Sequence, residues 1–285
     1  MILSIGCLLE LECPAATPLL VLVHPHRSRQ ADVQRAETVS LLPDRPYEVL
    51  SDQLGNRWCR LMAANGRTRF QFSTSIHCDD TPDPVVQSAP QTPVQFLPID
   101  AYAYLNASTY CDTQALMGLA WDTFGSRGWQ GWSLVQAICD WVHGRIRFDS
   151  RATQPHQTAS QTVAQGTGVC RDFAHLAITL SRCLNIPARY CTGYLGSTGL
   201  PLGEAPVDFS SWFEVYLGDR WFCFDARHNT PRIGRVLIAR GRDAGDVPFL
   251  RSFGNHALTQ LTVISEPLIS ESVTSEPVIS DQQIS

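Results

Sequence analysis

The first eighty residues alternate apolar and polar positions in short bursts, the period of strands with one buried face. Leu19-Leu20-Val21-Leu22-Val23 is instead a continuous apolar run, which predicts a strand covered on both faces. Arg57-Trp58-Cys59-Arg60-Leu61 follows the turn signal Gly55-Asn56, and Arg69-Phe70-Gln71-Phe72-Ser73 follows Asn65-Gly66. These punctuated alternations predict a small all-β sandwich over residues 1–80. Met1-Ile2-Leu3-Ser4-Ile5-Gly6-Cys7 is apolar, lacks a basic lead and soon meets Glu10 and Glu12, so it reads as a first strand rather than a signal peptide. Prolines at 82, 84, 90, 93 and 98 deny both helix and ladder, which places a linker at 81–98.

The period changes over residues 99–250. Val135, Ile138, Cys139 and Val142 recur at i, i+3, i+4, i+7 behind Ser133, the expected cap of a helix. A second helix is expected to open at Cys170 with Phe173, Leu176, Ala177, Leu180 and Leu184 on one side, and to stop before Pro187. Strands are predicted at 188–194, 212–217 and 220–225, the last two joined by Gly218-Asp219. Helix leading into antiparallel sheet makes this region an α+β core. Beyond it, Val263–Ser272 recurs imperfectly as Val273–Gln282, with acids at 266, 271, 276 and 281. A period of five suits neither helix nor strand, so residues 251–285 are expected to be a disordered acidic tail.

Composition narrows the function. The chain has 285 residues, of which 44% are hydrophobic and 17% charged, enough to bury a proper core. Its net charge of −5 and lack of a Lys/Arg-rich run argue against nucleic acid and against a membrane surface as partners. No apolar stretch approaches the ~18–20 residues that span a bilayer. Ten cysteines contain no C-x-x-C pair, which disfavours a disulfide scaffold and a thiolate zinc site. They read as buried thiols in a reducing compartment, hence a cytoplasmic location, and His24, His26 and His77 read as surface residues of the β-domain.

The chemistry concentrates at Gly166-Thr167-Gly168-Val169-Cys170-Arg171-Asp172-Phe173-Ala174-His175. A glycine loop delivers a cysteine to the first turn of a helix, where unpaired backbone N–H groups and the macrodipole stabilise a thiolate. The same N–H groups can face a developing oxyanion. Asp172 and Arg171 are read as an ion pair supporting the helix start. His175, about 140° around the helix from Cys170, is read mainly as a packing histidine.

This stretch, together with Asp208-Phe209-Ser210-Ser211-Trp212-Phe213-Glu214-Val215-Tyr216-Leu217 and Trp221-Phe222-Cys223-Phe224-Asp225-Ala226-Arg227-His228-Asn229, resembles the core of the transglutaminase-like superfamily. The resemblance implies a papain-like fold preceded by the β-sandwich and a Cys-His-Asp triad. On it, Cys170 matches the nucleophile and Asp225 the orienting carboxylate. The family's strand opens His-Ala-Trp where this chain has Ser210-Ser211-Trp212, so Ser210 takes the place of the histidine. A serine cannot serve as a base near pH 7, and His228, three residues past Asp225, is the candidate substitute. Trp212 is read first as sheet packing and second as a wall of the cleft.

Three functions compete. The first is thiol-based acyl transfer on a peptide or isopeptide bond, with a peptide or protein substrate and no cofactor. The second is a catalytically degenerate module that binds peptides or protein partners, favoured by Ser210. The third, a metal site of Cys170, His175 and His228, lacks recognised ligand spacing.

Overall fold

The computed structural model describes residues 1–151, 154, 156–196 and 208–268. The amino-terminal part contributes β1 (Ile2–Cys13), β2 (Thr17–Leu22), β3 (Val33–Leu42), β4 (Tyr47–Ser51), β5 (Arg57–Ala63) and β6 (Gly66–His77). The core follows with α1 (Thr113–Ala120), α2 (Trp132–Arg145), β7 (Arg147–Phe148), α3 (Ala159–Gln165), β8 (Thr167–Gly168) and α4 (Cys170–Cys183). It continues through β9 (Ala188–Leu195), β10 (Asp208–Leu217), β11 (Arg220–Phe224) and β12 (Val236–Gly241), and the chain then forms β13 (Leu250–Ser252) and β14 (Ala257–Pro267).

Two four-stranded sheets, ordered β14-β1-β6-β3 and β13-β2-β5-β4, make the sandwich. Its strands alternate as their sequence does: Phe70 and Phe72 of β6 are buried while Arg69 and Gln71 are exposed. The sandwich nevertheless does not end at residue 80. β13 pairs with β2, and β14 runs antiparallel along β1 from Leu3↔Pro267 to Glu12↔Ala257. The expected tail is therefore ordered strand as far as Pro267, with Val263 and Ser265 buried. Val263 and Ser265 alternate inward there, a pattern hidden by the five-residue spacing of the acids, of which only Glu266 belongs to β14. The rest of the repeat, residues 269–285, lies outside the described residues.

The linker packs on the core. Ala89 is buried, its carbonyl accepts the Trp132 N–H at 3.0 Å, and the Pro90 carbonyl accepts the Gly218 N–H at 2.8 Å. Gly131 precedes α2 with φ +54°, and a Cβ there would meet the Ala89 oxygen at 2.2 Å. Gly131 thus caps α2 in place of the expected Ser133, whose hydroxyl turns back to the Gln130 carbonyl at 2.9 Å.

In the core, α4 packs on one face of an antiparallel sheet ordered β11-β10-β9-β12. Phe213, Val215 and Leu217 of β10 face the helix and join Phe173, Ala177 and Leu180 in one hydrophobic cluster that runs on into the sandwich. Truncating a side chain such as Phe213, fully buried here, costs about 3–5 kcal/mol. The α4 helix ends at Cys183, and Asn185 just beyond its cap takes φ +62° ahead of Pro187, before which the sequence predicts the stop. Sandwich and core are also tied by polar contacts: Tyr194 Oη donates to the Val23 carbonyl at 2.8 Å, and Asn56 bonds both ways with the Arg240 backbone. His24 and His26, expected at the surface, are buried at this junction. His24 meets Glu37 at 3.1 Å, and His26 bonds the Leu54 carbonyl at 2.8 Å.

Candidate active site

The loop entering α4 is fixed before the helix begins. β7 and β8 form a short parallel pair, Arg147↔Thr167 and Phe148↔Gly168, which brings the chain to Val169 in extended conformation. The Val169 N–H donates to Asp172 Oδ2 at 2.9 Å, so a buried carboxylate one turn on closes the helix start. Gly168 makes this possible, since a Cβ there would stand 2.8 Å from Asp172 Cβ. Burial raises the Asp172 pKa, against the Val169 N–H and Arg171, whose Nε lies 3.6 Å from Oδ1. The expected Arg171–Asp172 pair is therefore present, and it positions Cys170 on the first turn of α4, where backbone N–H groups lack helical partners.

β9 and β10 pass in front of this helix start. Tyr190 pairs with Phe213, and Thr192 with Ser211, so Tyr190, Thr192, Ser211 and Phe213 share the face toward α4. The Cys170 thiol donates to Ser211 Oγ at 3.7 Å, and Ser211 Oγ lies 2.5 Å from Tyr190 Oη. Burial pushes the Tyr190 phenol well above its ordinary range, which keeps it neutral and able to donate. His175 stacks on Tyr110 with centroids 5.1 Å apart and tilts against Tyr190 at 5.2 Å. Its Nε2 accepts the Ala244 N–H at 3.1 Å, while its Nδ1 is buried without a hydrogen-bond partner. Burial, reinforced by Arg171 and Arg182, holds its pKa well below the usual histidine value, so it is a neutral packing ring.

The second cluster surrounds Asp225, just past β11. Its Oδ2 accepts from His228 Nδ1 at 2.9 Å and Arg235 Nη2 at 3.0 Å, and its Oδ1 from the Arg227 and His228 backbone N–H groups. Burial alone would raise its pKa, but the Arg235 guanidinium and His228 outweigh that and hold the carboxyl well below the usual range. Arg235 also binds Asp83 at 2.8 Å and lies 4.9 Å from the Trp212 ring centroid. Trp212 itself is buried with Cys191 and Leu237, as sheet packing.

The residues singled out in the sequence thus fall into two groups. Cys170 meets Ser211 and, through it, Tyr190; Asp225 meets His228 and Arg235. Ser210 pairs with Gly193 and shares its face with Trp212, and its Oγ is buried without a hydrogen-bond partner. The hydroxyl beside the sulfur therefore belongs to Ser211, which the sequence reading passed over along with Tyr190. Strict alternation along β9 and β10 was the available signal, but it required knowing which strands pair. Cys170 opens into a cavity of about 310 Å³ walled by Tyr110, Phe209, Val247, Phe249 and Leu261 among others. Asp225 lines a separate recess of about 100 Å³ with Trp132, Gln136 and Cys139. Among the described residues, no three His, Cys, Asp or Glu side chains converge as metal ligands, and no helix is long and apolar enough to cross a membrane.

A cysteine at a helix start, packed against an antiparallel sheet behind a β-sandwich, defines a cysteine-protease-like fold. A family model described as the transglutaminase-like superfamily matches residues 130–226. The crystal structure of a "Putative Cysteine Protease from Cytophaga hutchinsonii" is 31% identical and covers 99% of this chain and 94% of its own, with a TM-score of 0.81. The chain belongs to the transglutaminase-like superfamily. An uncharacterized protein of Mycobacterium leprae is 28% identical over 136 residues, 46% of this chain and 48% of that protein. One of Mycobacterium tuberculosis is 25% identical over 127 residues, 41% of this chain and 40% of that protein. The chain spans half or less of the length of these curated relatives.

Proposed function

We propose that the protein catalyses thiol-dependent acyl transfer on peptide or isopeptide amide bonds, with water as the acceptor. The observation that carries this reading is the placement of Cys170: partly exposed, on the first turn of α4, in the lining of a cavity, with a hydroxyl 3.7 Å from its sulfur. Of the ten cysteines, eight are buried, and burial raises the pKa of Cys223, the other partly exposed one. In the proposed reaction the thiolate adds to the amide carbonyl, and N–H groups at the start of α4 face the oxyanion. The C–N bond then breaks, the amine leaves with a proton, and water hydrolyses the thioester to a carboxylic acid and the thiol.

A second reading, a peptide-binding module without turnover, is favoured by the hydroxyl rather than imidazole at the sulfur. One experiment separates the two. Quenched-fluorescent peptides are incubated with the protein and its Cys170→Ala variant, and rapid acid quench with intact mass looks for a thioester. Turnover or an acyl adduct lost in Cys170→Ala supports the enzyme. Saturable peptide binding in both proteins with neither turnover nor adduct establishes the module instead.

A further inference from the structure

We infer that the cavity before Cys170 is a subsite for one large, uncharged apolar side chain of an extended peptide, an aromatic one above all. Its volume of about 310 Å³ sits at the low end of small-ligand pockets, room for one large side chain with adjoining backbone. Phe209 and Phe249 form a stacked pair along it, centroids 5.9 Å apart and planes at 29°, and Val247, Pro248 and Leu261 complete an apolar wall. Aromatic lining of this kind suits a third ring, which packs on such groups in offset or tilted geometries. Cys170, Ser211 and Thr192, neighbours through the Cys170–Ser211 contact and the Thr192↔Ser211 pair, line the same cavity and supply polar atoms to it. Apolar walls and a nucleophile in one cavity orient a peptide: the side chain packs on the walls, and a backbone carbonyl reaches the sulfur.

Charge sharpens the choice. Among the described residues of the lining, Arg171 is the one that carries a charge, and none is a carboxylate that could pair a substrate ammonium. A lysine or arginine side chain would lose its hydration there for no counter-charge. The walls from Val247 to Leu261 also lie beyond the residues matched by the family model, 130–226. The preference is therefore built by this chain's own carboxy-terminal strands. The inference rests on the proposed reading for the identity of the nucleophile, and the test keeps the two apart.

Tripeptide chloromethyl ketones carrying Phe, Ala or Lys, at the residue bearing the ketone or at the one before it, would be compared for their rates of Cys170 alkylation. Iodoacetamide, which needs no side-chain pocket, serves as the reference. Phe at one of the two positions should react on the order of 10²-fold faster than Ala, with Lys no faster than Ala. Leu261, on the pocket wall and 38% exposed, can be changed without emptying the core. Leu261→Asn, which adds no charge near the thiol, should erase most of the Phe advantage, read as the ratio of the Phe to the Ala rate with each divided by the iodoacetamide rate of the same variant. Equal rates for Phe and Ala, with iodoacetamide still labelling Cys170, overturn the subsite and leave the proposed reaction standing. If Cys170 resists every electrophile, the reaction fails instead. Calorimetric titration of Cys170→Ala with the Phe and Ala tripeptide amides then decides the subsite alone, equal affinities counting against it.

Discussion

The Cys170 thiol and the Ser211 hydroxyl lie 3.7 Å apart, and Ser211 is in turn 2.5 Å from the buried Tyr190 phenol. In the neutral thiol the hydrogen points at Ser211. Once the thiol ionises, the same hydroxyl can rotate and donate to sulfur while Tyr190 donates to Ser211, a two-step chain of donors ending on the charge. Ser211→Ala should therefore move the pH midpoint of Cys170 alkylation upward by about one unit, the worth of one hydrogen bond to a charged group. Tyr190→Phe should move it in the same direction by less. Iodoacetamide rates between pH 5 and 10, read by mass spectrometry, measure both, and superimposed curves would remove the hydroxyl chain from the chemistry.

Ser210→His tests the position matched to the family's histidine. Phe213 pairs with Phe224, and continuing that register sets Asp225 opposite Trp212, on the face that Ser210 shares. An imidazole at 210 would have the Asp225 carboxylate on its own face and the sulfur beside its neighbour, Ser211. The sulfur lies on the other face of β10, against Ser211, so alkylation of Cys170 at pH 6 should stay within a few-fold of the rate of the unaltered protein. An acceleration of about 10², the size of a general-base gain, would show instead that position 210 reaches the sulfur.

His175 makes stability depend on pH. Its folded-state pKa is held well below the ordinary histidine value by burial. The stabilisation is complete above the unfolded pKa of about 6.5 and is lost as pH falls from there, because the unfolded chain takes up a proton that the folded ring refuses. The loss is about 1.4 kcal/mol per pH unit. Thermal melts should therefore drop by roughly 3–6 °C between pH 6.5 and 5.5. His175→Gln keeps an acceptor for the Ala244 N–H and does not titrate, so its melting profile should be flatter over that interval. Parallel profiles would assign the acid sensitivity to other groups.

How much of this was readable in advance differs from residue to residue. Cys170 was legible because a glycine loop, a capping carboxylate and a 3.6-residue apolar period are all local signals. The α2 cap was not, since Gly131 answers to the Ala89 carbonyl, more than forty residues away in sequence. Matching Ser210 to a histidine located a position on the strand but not its facing, and the facing decides that Ser211 touches the sulfur. His24 and His26 looked like surface residues because nothing local announces that the core will cover them. The strand at 257–267 was masked by the five-residue spacing of the acids, of which it holds only Glu266, at an exposed position.

Removal of residues 263–285 measures that last point. The cut deletes the pairs Cys7↔Val263, Gly6↔Ile264, Ile5↔Ser265, Ser4↔Glu266 and Leu3↔Pro267, and exposes the surface beneath buried Val263. Losing one buried valine costs about 1.5–3 kcal/mol before any ladder bonds are counted. The melting temperature should fall by on the order of 5–10 °C. A fall of no more than one or two degrees would show that β1 and β6 hold the sheet without β14.

Because β1 is partnered by β14, the beginning of the chain waits for its far end. The pairing joins positions some 250 residues apart, so during synthesis Ile2–Cys13 emerges with one edge bare and keeps it bare while nearly the whole core is made. At the ~5–20 residues per second of translation, that interval lasts roughly 10–50 seconds. Leu261, in the same late strand, also supplies a wall of the cavity before Cys170. The thiol thus acquires its finished surroundings at the same step that closes the sandwich, and a nascent chain too short to have closed its fold also lacks a finished groove.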